Sequence, residues 1–317
     1  MDLDRRIYRC NLRFDHLETR KIKRGNTMKI ACIGEAMIEL SFRGSTPSIG
    51  VAGDTLNTAI YLKRAAPKLQ VNYITRLGTD PFSTQIKTFI AAQNIGIVAI
   101  ETSQKRHPGL YAISTSASGE RAFTYWRTQS AARELFQTAN GADFSALNGY
   151  DALYLSGITL AILPSDIRHK LLNFLKTSDA LFAFDSNYRP ALWSDAQEAR
   201  KTINSFWEIS DLALPSLDDE MELFQENFET VQKRFAAYGS LGALKCGEKG
   251  PISLGEPVLA TRYPTSPIVV DTTAAGDSFN GAYLGAKLSG ENQERALQKG
   301  HACAAQVVQV HGAIIDA

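Results

Sequence analysis

Cysteine is scarce. Cys10, Cys32, Cys246 and Cys303 are scattered over 317 residues without a Cys-x-x-Cys pair. This excludes a disulfide framework and a cysteine-built zinc module. The five histidines show no metal-ligand spacing. No apolar run approaches the roughly 20 residues a membrane-spanning helix needs. An excess of one charge sign is missing too: the formal net charge is +1, so composition pulls neither toward nucleic acid nor toward an anionic membrane. There is no Gly-x-x-x-x-Gly-Lys-Ser/Thr loop, no Gly-x-Gly-x-x-Gly after a strand-like run, and no repeat or low-complexity tract. The P-loop and dinucleotide-binding classes are therefore disfavoured.

What is present is ordinary for a globular chain: 44% hydrophobic and 21% charged residues. Residues 1–27 stand apart, with eight Lys or Arg, four acids and no apolar core of a signal segment. Asp2, Asp4, Asp15 and Glu18 also argue against a transit peptide. The sequence predicts that the fold starts at Met28 and that residues 1–27 form a flexible extension.

From Met28 onward, short β-rich runs alternate with amphipathic stretches. Strands are expected at Lys29–Ile33, Val71–Ile74, Ala152–Leu155, Leu181–Phe184, Leu212–Leu214 and Ala243–Lys245. Helices are expected at Asn57–Ala65, Phe82–Gln93, Ile167–Leu175 and from about Asp218. Such βαβα alternation predicts an α/β fold with a mostly parallel central sheet flanked by helices. Ligands of such sheets sit beyond the carboxyl ends of the strands, after Ile33, Ile74, Phe184, Leu214 and Lys245. Two stretches break the alternation: Ile38–Phe42, and the pair Leu110–Ser114 and Ala122–Trp126 joined by the turn-rich Ser116–Glu120. They fit a small β lid (about 36–50 and 108–128) that keeps water from a reaction, and equally an edge hairpin of the main sheet.

Asp271-Thr-Thr-Ala-Ala-Gly-Asp-Ser-Phe279 follows the β-branched run Ile268–Val270 and precedes the small-residue helix Asn280–Leu288. A strand is thus expected to feed a tight turn that opens a helix. The N–H groups of Ala274, Ala275, Gly276 and Asp277 would form an anion site there, assisted by the helix dipole. Asp277 in that turn fits a general base for an attacking hydroxyl and, equally, a helix cap.

Together these motifs resemble the ribokinase-like (PfkB) family of carbohydrate kinases, over Met28 to the C-terminus. Asp271–Phe279 resembles the family's Asp-Thr-x-Gly-Ala-Gly-Asp-x-Phe segment, with Ala274 in place of its first glycine. Gly53-Asp54-Thr55-Leu56-Asn57 resembles its Gly-Gly-x-x-x-Asn sugar motif. Arg76–Phe82 resembles its Gly-x-Asp-x-x-Gly segment without the final glycine. Within the family, Gly53–Asn57, Tyr125-Trp126-Arg127 and Asp185–Trp193 are similar to the 2-keto-3-deoxygluconate kinase branch.

The resemblance implies a ribokinase-like three-layer fold with a small β-sheet lid. It implies phosphorylation of a sugar acid by ATP with Mg2+, in the cytoplasm, within Entner–Doudoroff or uronate catabolism. Asp277 would be the base, and Ala274, Ala275 and Gly276 would line the anion hole. Gly53, Asp54, Asn57, Tyr111, Tyr125, Arg127 and Arg189 would hold the sugar acid. Asn187, Arg189, Lys245, Gly247, Glu248, Gly250, Ala274 and Gly276 would meet ATP, with His311–Ala313 on the adenine side. Asp219 or Glu220 would serve the metal, although a helix-start charge cluster explains both acids as well. Lid sheets in this family pair into dimers, which implies a homo-oligomer. Fructokinase and ribokinase types, and a non-catalytic sugar binder on the same fold, are the alternatives; two arginines suit an acid sugar better than a neutral one.

Overall fold

The computed structural model describes residues 27–43, 46–115, 121–259 and 262–316. The expected extension at residues 1–27 lies outside these, apart from Thr27, and so does the turn Ser116–Glu120.

The central sheet runs, in spatial order, Pro251–Leu254, Leu241–Lys245, Leu212–Ala213, Leu181–Asp185, Ala152–Ser156, Lys29–Ile33 and Gln70–Ile74. All neighbours are parallel except the antiparallel edge strand Pro251–Leu254. Its inner strands are near-continuous apolar runs because both faces are covered. Alternation assigns each face: Ile30 and Cys32 join a core with Leu56, Ile60, Phe279 and Tyr283, whereas Ala31 and Ile33 join Leu155, Phe184, Phe206 and Trp207. This is the three-layer arrangement expected from the alternation.

Helices Asp54–Ala65 and Ala275–Leu288 pack together on one face. Small residues allow their close approach. A Cβ on Gly281 would lie 2.6 Å from the Thr58 carbonyl oxygen and from Tyr61 Cβ, and one on Gly285 would lie 2.9 Å from Ala65 Cβ. Close approach brings the first turns of the two helices together.

Thr46–Ala52, Met37–Arg43, Gly109–Thr115 and Arg121–Trp126 form a separate four-stranded sheet in that order. Its outer pairs are antiparallel and its central pair parallel. The hairpin therefore belongs to a second sheet and is not an edge of the first.

The expected strand at Ile268–Val270 is absent. Ile268 and Val269 are 61% and 63% exposed, and Val270 N–H donates to the Val308 carbonyl (2.7 Å). β-Branched residues favour a pleated, partnered surface, and no strand among the described residues pairs with this run. The helix beyond it begins at Ala275, not Asn280.

Candidate active site

A cleft of about 930 Å³ opens at the carboxyl end of the parallel strands, between the main sheet and the smaller one. Gly53, Asp54, Asn57, Tyr111, Tyr125, Arg127, Asn187, Arg189, Asp219, Lys245, Gly247, Glu248, Gly250 and the run Ala274–Asp277 all line it. Residues spread over more than two hundred positions are brought to one cavity because parallel strands deliver their ends to the same side.

At the centre is Asp277. It sits in the first turn of the helix, which is capped by Ala274 in the left-handed conformation (φ 60°, ψ 15°). Asp277 is therefore not the cap, and its side chain makes no capping bond. Its Oδ2 instead accepts a hydrogen bond from Asn57 Nδ2 (2.9 Å), while Thr58 Oγ1 donates to its carbonyl oxygen (3.3 Å). Burial raises the carboxyl well above the usual range, and the neighbouring Asp54 charge raises it further. A carboxylate held basic in a cleft is suited to taking a proton from a hydroxyl.

Fewer N–H groups are open at the helix start than the sequence predicts. Ala275 N–H donates to the Thr272 carbonyl (3.2 Å), so it is spent on the turn. Gly276 and Asp277 lie in the helix's first turn, whose N–H groups no earlier helical carbonyl can reach.

At the end of the cleft nearer the smaller sheet, Gly53 fits because a Cβ would overlap the Glu35 carbonyl oxygen. Asp54 Oδ2 accepts from Asn187 Nδ2 (2.9 Å) and from Ser156 Oγ. Asn187, expected beside ATP, thus makes its side-chain contact with a sugar-motif residue. Arg127 is buried and paired with Glu35, while its Nε and Glu35 Oε1 have no hydrogen-bond partner among the described residues. From the smaller sheet, Tyr111, Phe123 and Tyr125 form an aromatic wall with ring centroids 5.6–6.4 Å apart, and the Tyr111 hydroxyl donates to Glu39.

At the opposite end, Lys245 Nζ donates to Asp185 Oδ2 (2.8 Å) and Asn280 Oδ1 (3.1 Å). Gly250 (φ 82°) is required by space, since a Cβ would strike the Tyr263 ring. The structure separates the two metal-acid alternatives. Asp219 lines the cleft, accepts the Tyr188 N–H (3.1 Å) and lies 3.6 Å from Arg189 Nη1. Burial lifts its carboxyl to about 6, against the lowering effect of Arg189. Glu220 does not line the cleft: it is fully buried against Arg234 (3.0 Å) and Trp207 Nε1 (3.3 Å), where desolvation raises it to about 7. Glu220 is accordingly a buried structural acid. Among the described residues no three His, Cys, Asp or Glu side chains cluster to hold a metal. Asp219 alone fits an ion that keeps water and phosphate ligands, as Mg2+ does.

The profile of the pfkB family carbohydrate kinases matches residues 25–317. The chain belongs to this family. Similar relatives are the 2-dehydro-3-deoxygluconokinases of Escherichia coli K12, 40% identical over 90% of this chain and 97% of that one, and of Dickeya dadantii, 40% identical over 91% and 97%. Among solved structures, a PfkB protein from Polaromonas sp. JS666 superposes with a TM-score of 0.77 at 25% identity, covering 90% of this chain and 96% of that one. The 2-dehydro-3-deoxygluconokinase of Thermotoga maritima has the same fold, with a TM-score of 0.77 at 22% identity over 91% and 96%. In this PfkB carbohydrate kinase the helix-start turn and the Gly53–Asn57 segment line the same cleft.

Motif reading passed over Glu35, Glu39, Phe123, Ser156 and Asn280, and named Asp185 without a role. Asp185 carried a usable signal, as the last residue of a parallel strand. Glu35 and Glu39 carried none, because their partners Arg127 and Tyr111 are 92 and 72 positions away.

Proposed function

We propose that this carbohydrate kinase transfers the γ-phosphoryl group of ATP to the terminal hydroxyl of 2-dehydro-3-deoxygluconate (2-keto-3-deoxygluconate), forming the 6-phosphate. One observation carries the reading: a single cleft holds the buried Arg127 guanidinium and, at a helix start, the carboxylate Asp277. The first suits a sugar carboxylate and the second suits phosphoryl transfer. The names of the relatives supply the acceptor.

In this mechanism Asp54, Asn57 and the glycine at position 53 hold the sugar hydroxyls, with Tyr111 and Tyr125 closing from the smaller sheet as a lid. Asp277 takes the proton from the attacking hydroxyl. The N–H groups of Gly276 and Asp277 and the Lys245 ammonium face the charge that develops on the phosphoryl oxygens. Asp219 would hold Mg2+, which supplies charge neutralisation on the triphosphate. Arg189, paired with Asp219, belongs to the same end and orients phosphates. The lid sheet also pairs two copies of the chain, a reading supported by its exposed Phe42, Ile49 and Trp126. The need for ATP supports a cytoplasmic reaction.

A coupled assay tests the acceptor with 2-dehydro-3-deoxygluconate, its galactonate stereoisomer, fructose and ribose. The acid sugars should lead in kcat/KM, and Arg127→Ala should raise KM for them. A neutral sugar used as well as the acids overturns the reading. Asp277→Asn should lower kcat by about a hundredfold to ten-thousandfold with little change in ATP binding.

A further inference from the structure

Asp185 is the buried carboxylate beside the cleft to which the transfer step above gives no task. It ends the strand Leu181–Asp185 and is 2% exposed. An anion there repels the phosphates of a nucleotide, so its presence needs a reason. Its contacts supply one. Oδ2 accepts from Lys245 Nζ (2.8 Å) and from Asn280 Nδ2 (2.6 Å). Lys245 Nζ also donates to Asn280 Oδ1 (3.1 Å). Asp185, Lys245 and Asn280 thus form a closed triangle in which each touches the other two. Asn280 is fully buried on the phosphate-binding helix, three residues beyond Asp277.

The triangle has a direction. A Cβ built on Gly276 would lie 3.6 Å from Lys245 Nζ, so the ammonium stands over the first turn of that helix. An ammonium has three donors on a flexible four-carbon stem. Asp185 and Asn280 engage two of them, which leaves one for a ligand in the cleft and removes most of the stem's freedom. The other oxygen of Asp185 accepts the Asn187 N–H (3.2 Å), and Asn187 in turn donates to Asp54 at the sugar end. One carboxylate therefore touches the cation at the phosphate end and the turn that reaches the sugar end.

We propose that Asp185 is a positioning residue that, with Asn280, fixes the Lys245 ammonium over the helix start as the cation meeting the transferred phosphoryl group. This rests on the kinase reading. A donor already aimed at developing charge needs no reorganisation during the reaction.

A double-mutant cycle on the full chain tests it, reading kcat, KM for ATP and KM for the sugar acid. Lys245→Met and Asp185→Asn should each lower kcat by roughly a hundredfold, the loss expected for one charge-stabilising donor. The double variant should lose little beyond Lys245→Met, because residues acting as a unit are non-additive. Multiplicative losses overturn the proposal. A second variant, Asp185→Asn with Asn280→Asp, keeps the charges and hydrogen-bonding groups but exchanges their places. It should recover at least about tenfold of the kcat lost by Asp185→Asn, and it carries the test where the single variant is unstable. An exchange variant that melts like the parent but recovers no turnover overturns the positioning role. A parent chain that transfers phosphate from ATP to no sugar sinks the kinase reading itself.

Discussion

Asp277 combines two environments that oppose its ionisation, burial and the charge of Asp54. The sign of each consequence follows. In the proposed role of base it must be ionised, so kcat/KM should rise with pH through a range above that of an ordinary carboxylate. Asp54→Asn removes one cause, and the midpoint of that rise should move to lower pH even though the sugar binds less well. Stability runs the other way. The unfolded chain releases this proton at about pH 4, while the folded chain keeps it to higher pH. Ionisation therefore destabilises the free enzyme progressively as the pH rises from the unfolded value through the raised folded one. Asp277→Asn should melt above the parent at about pH 9, with the gap narrowing toward about pH 5. An equal gap at both would show that the carboxyl is not raised. Ala274 offers a second test at this scale. Its left-handed backbone (φ 60°) disfavours a residue with a Cβ by about 1 kcal/mol. Ala274→Gly should raise the melting temperature by about 1–3 °C and retain activity, which differential scanning calorimetry and the coupled assay would check.

At the scale of elements, the placing of the proposed base depends on how closely two helices pack. Asn57 reaches Asp277 because Gly281 leaves no side chain between the Asp54 and Ala275 helices. Gly281→Ala should destabilise the chain by about 1–3 kcal/mol, the usual cost of overpacking. It should also lower kcat more than KM, because the base shifts without losing the sugar contacts; unchanged kcat would show that helix spacing does not set the position of Asp277. Element type was legible wherever period and burial agreed. Leu181–Phe184, apolar on both faces, reads as a buried strand, and the observed strand adds only Asp185. Ile268–Val270 is also apolar and is no strand, because β propensity reports a fit to a paired surface and no strand among the described residues pairs with this run. Asp277 moved from turn to helix for a related reason: Ala274 can adopt the cap conformation only at a steric cost that its sequence does not signal.

For the whole molecule, the smaller sheet has two different faces. Met37, Glu39, Tyr111, Ile113, Phe123 and Tyr125 share the cleft side through the cross-strand pairs Glu39 with Tyr111, Tyr111 with Tyr125 and Ile113 with Phe123. Phe42, Ile49 and Trp126 share the other side and are 47%, 49% and 59% exposed. Phe123 and Tyr125 on the cleft side are exposed as well, at 41% and 52%, but they line the cavity, whereas the three on the other side fit an interaction surface. The chain should therefore elute as a dimer or larger assembly in size-exclusion chromatography with light scattering. Trp126→Glu with Phe42→Glu should shift it to monomer; a parent chain that is already monomeric would refute the pairing.

The sequence by itself determined the α/β architecture, the strand ends where ligands meet and the short contiguous motifs, because periodicity, turn residues and the Asp271–Phe279 run are local properties of the chain. Only the tertiary structure decided which partner each charge has and which charges reach the cleft. Arg127 pairs with Glu35, Glu220 is withdrawn to Arg234 while Asp219 faces the cleft, and Asp185 joins Lys245 to Asn280. The physical reason is that a charge's role depends on its desolvation and on partners within a few ångströms, and here those partners lie 14 to 95 positions away along the chain.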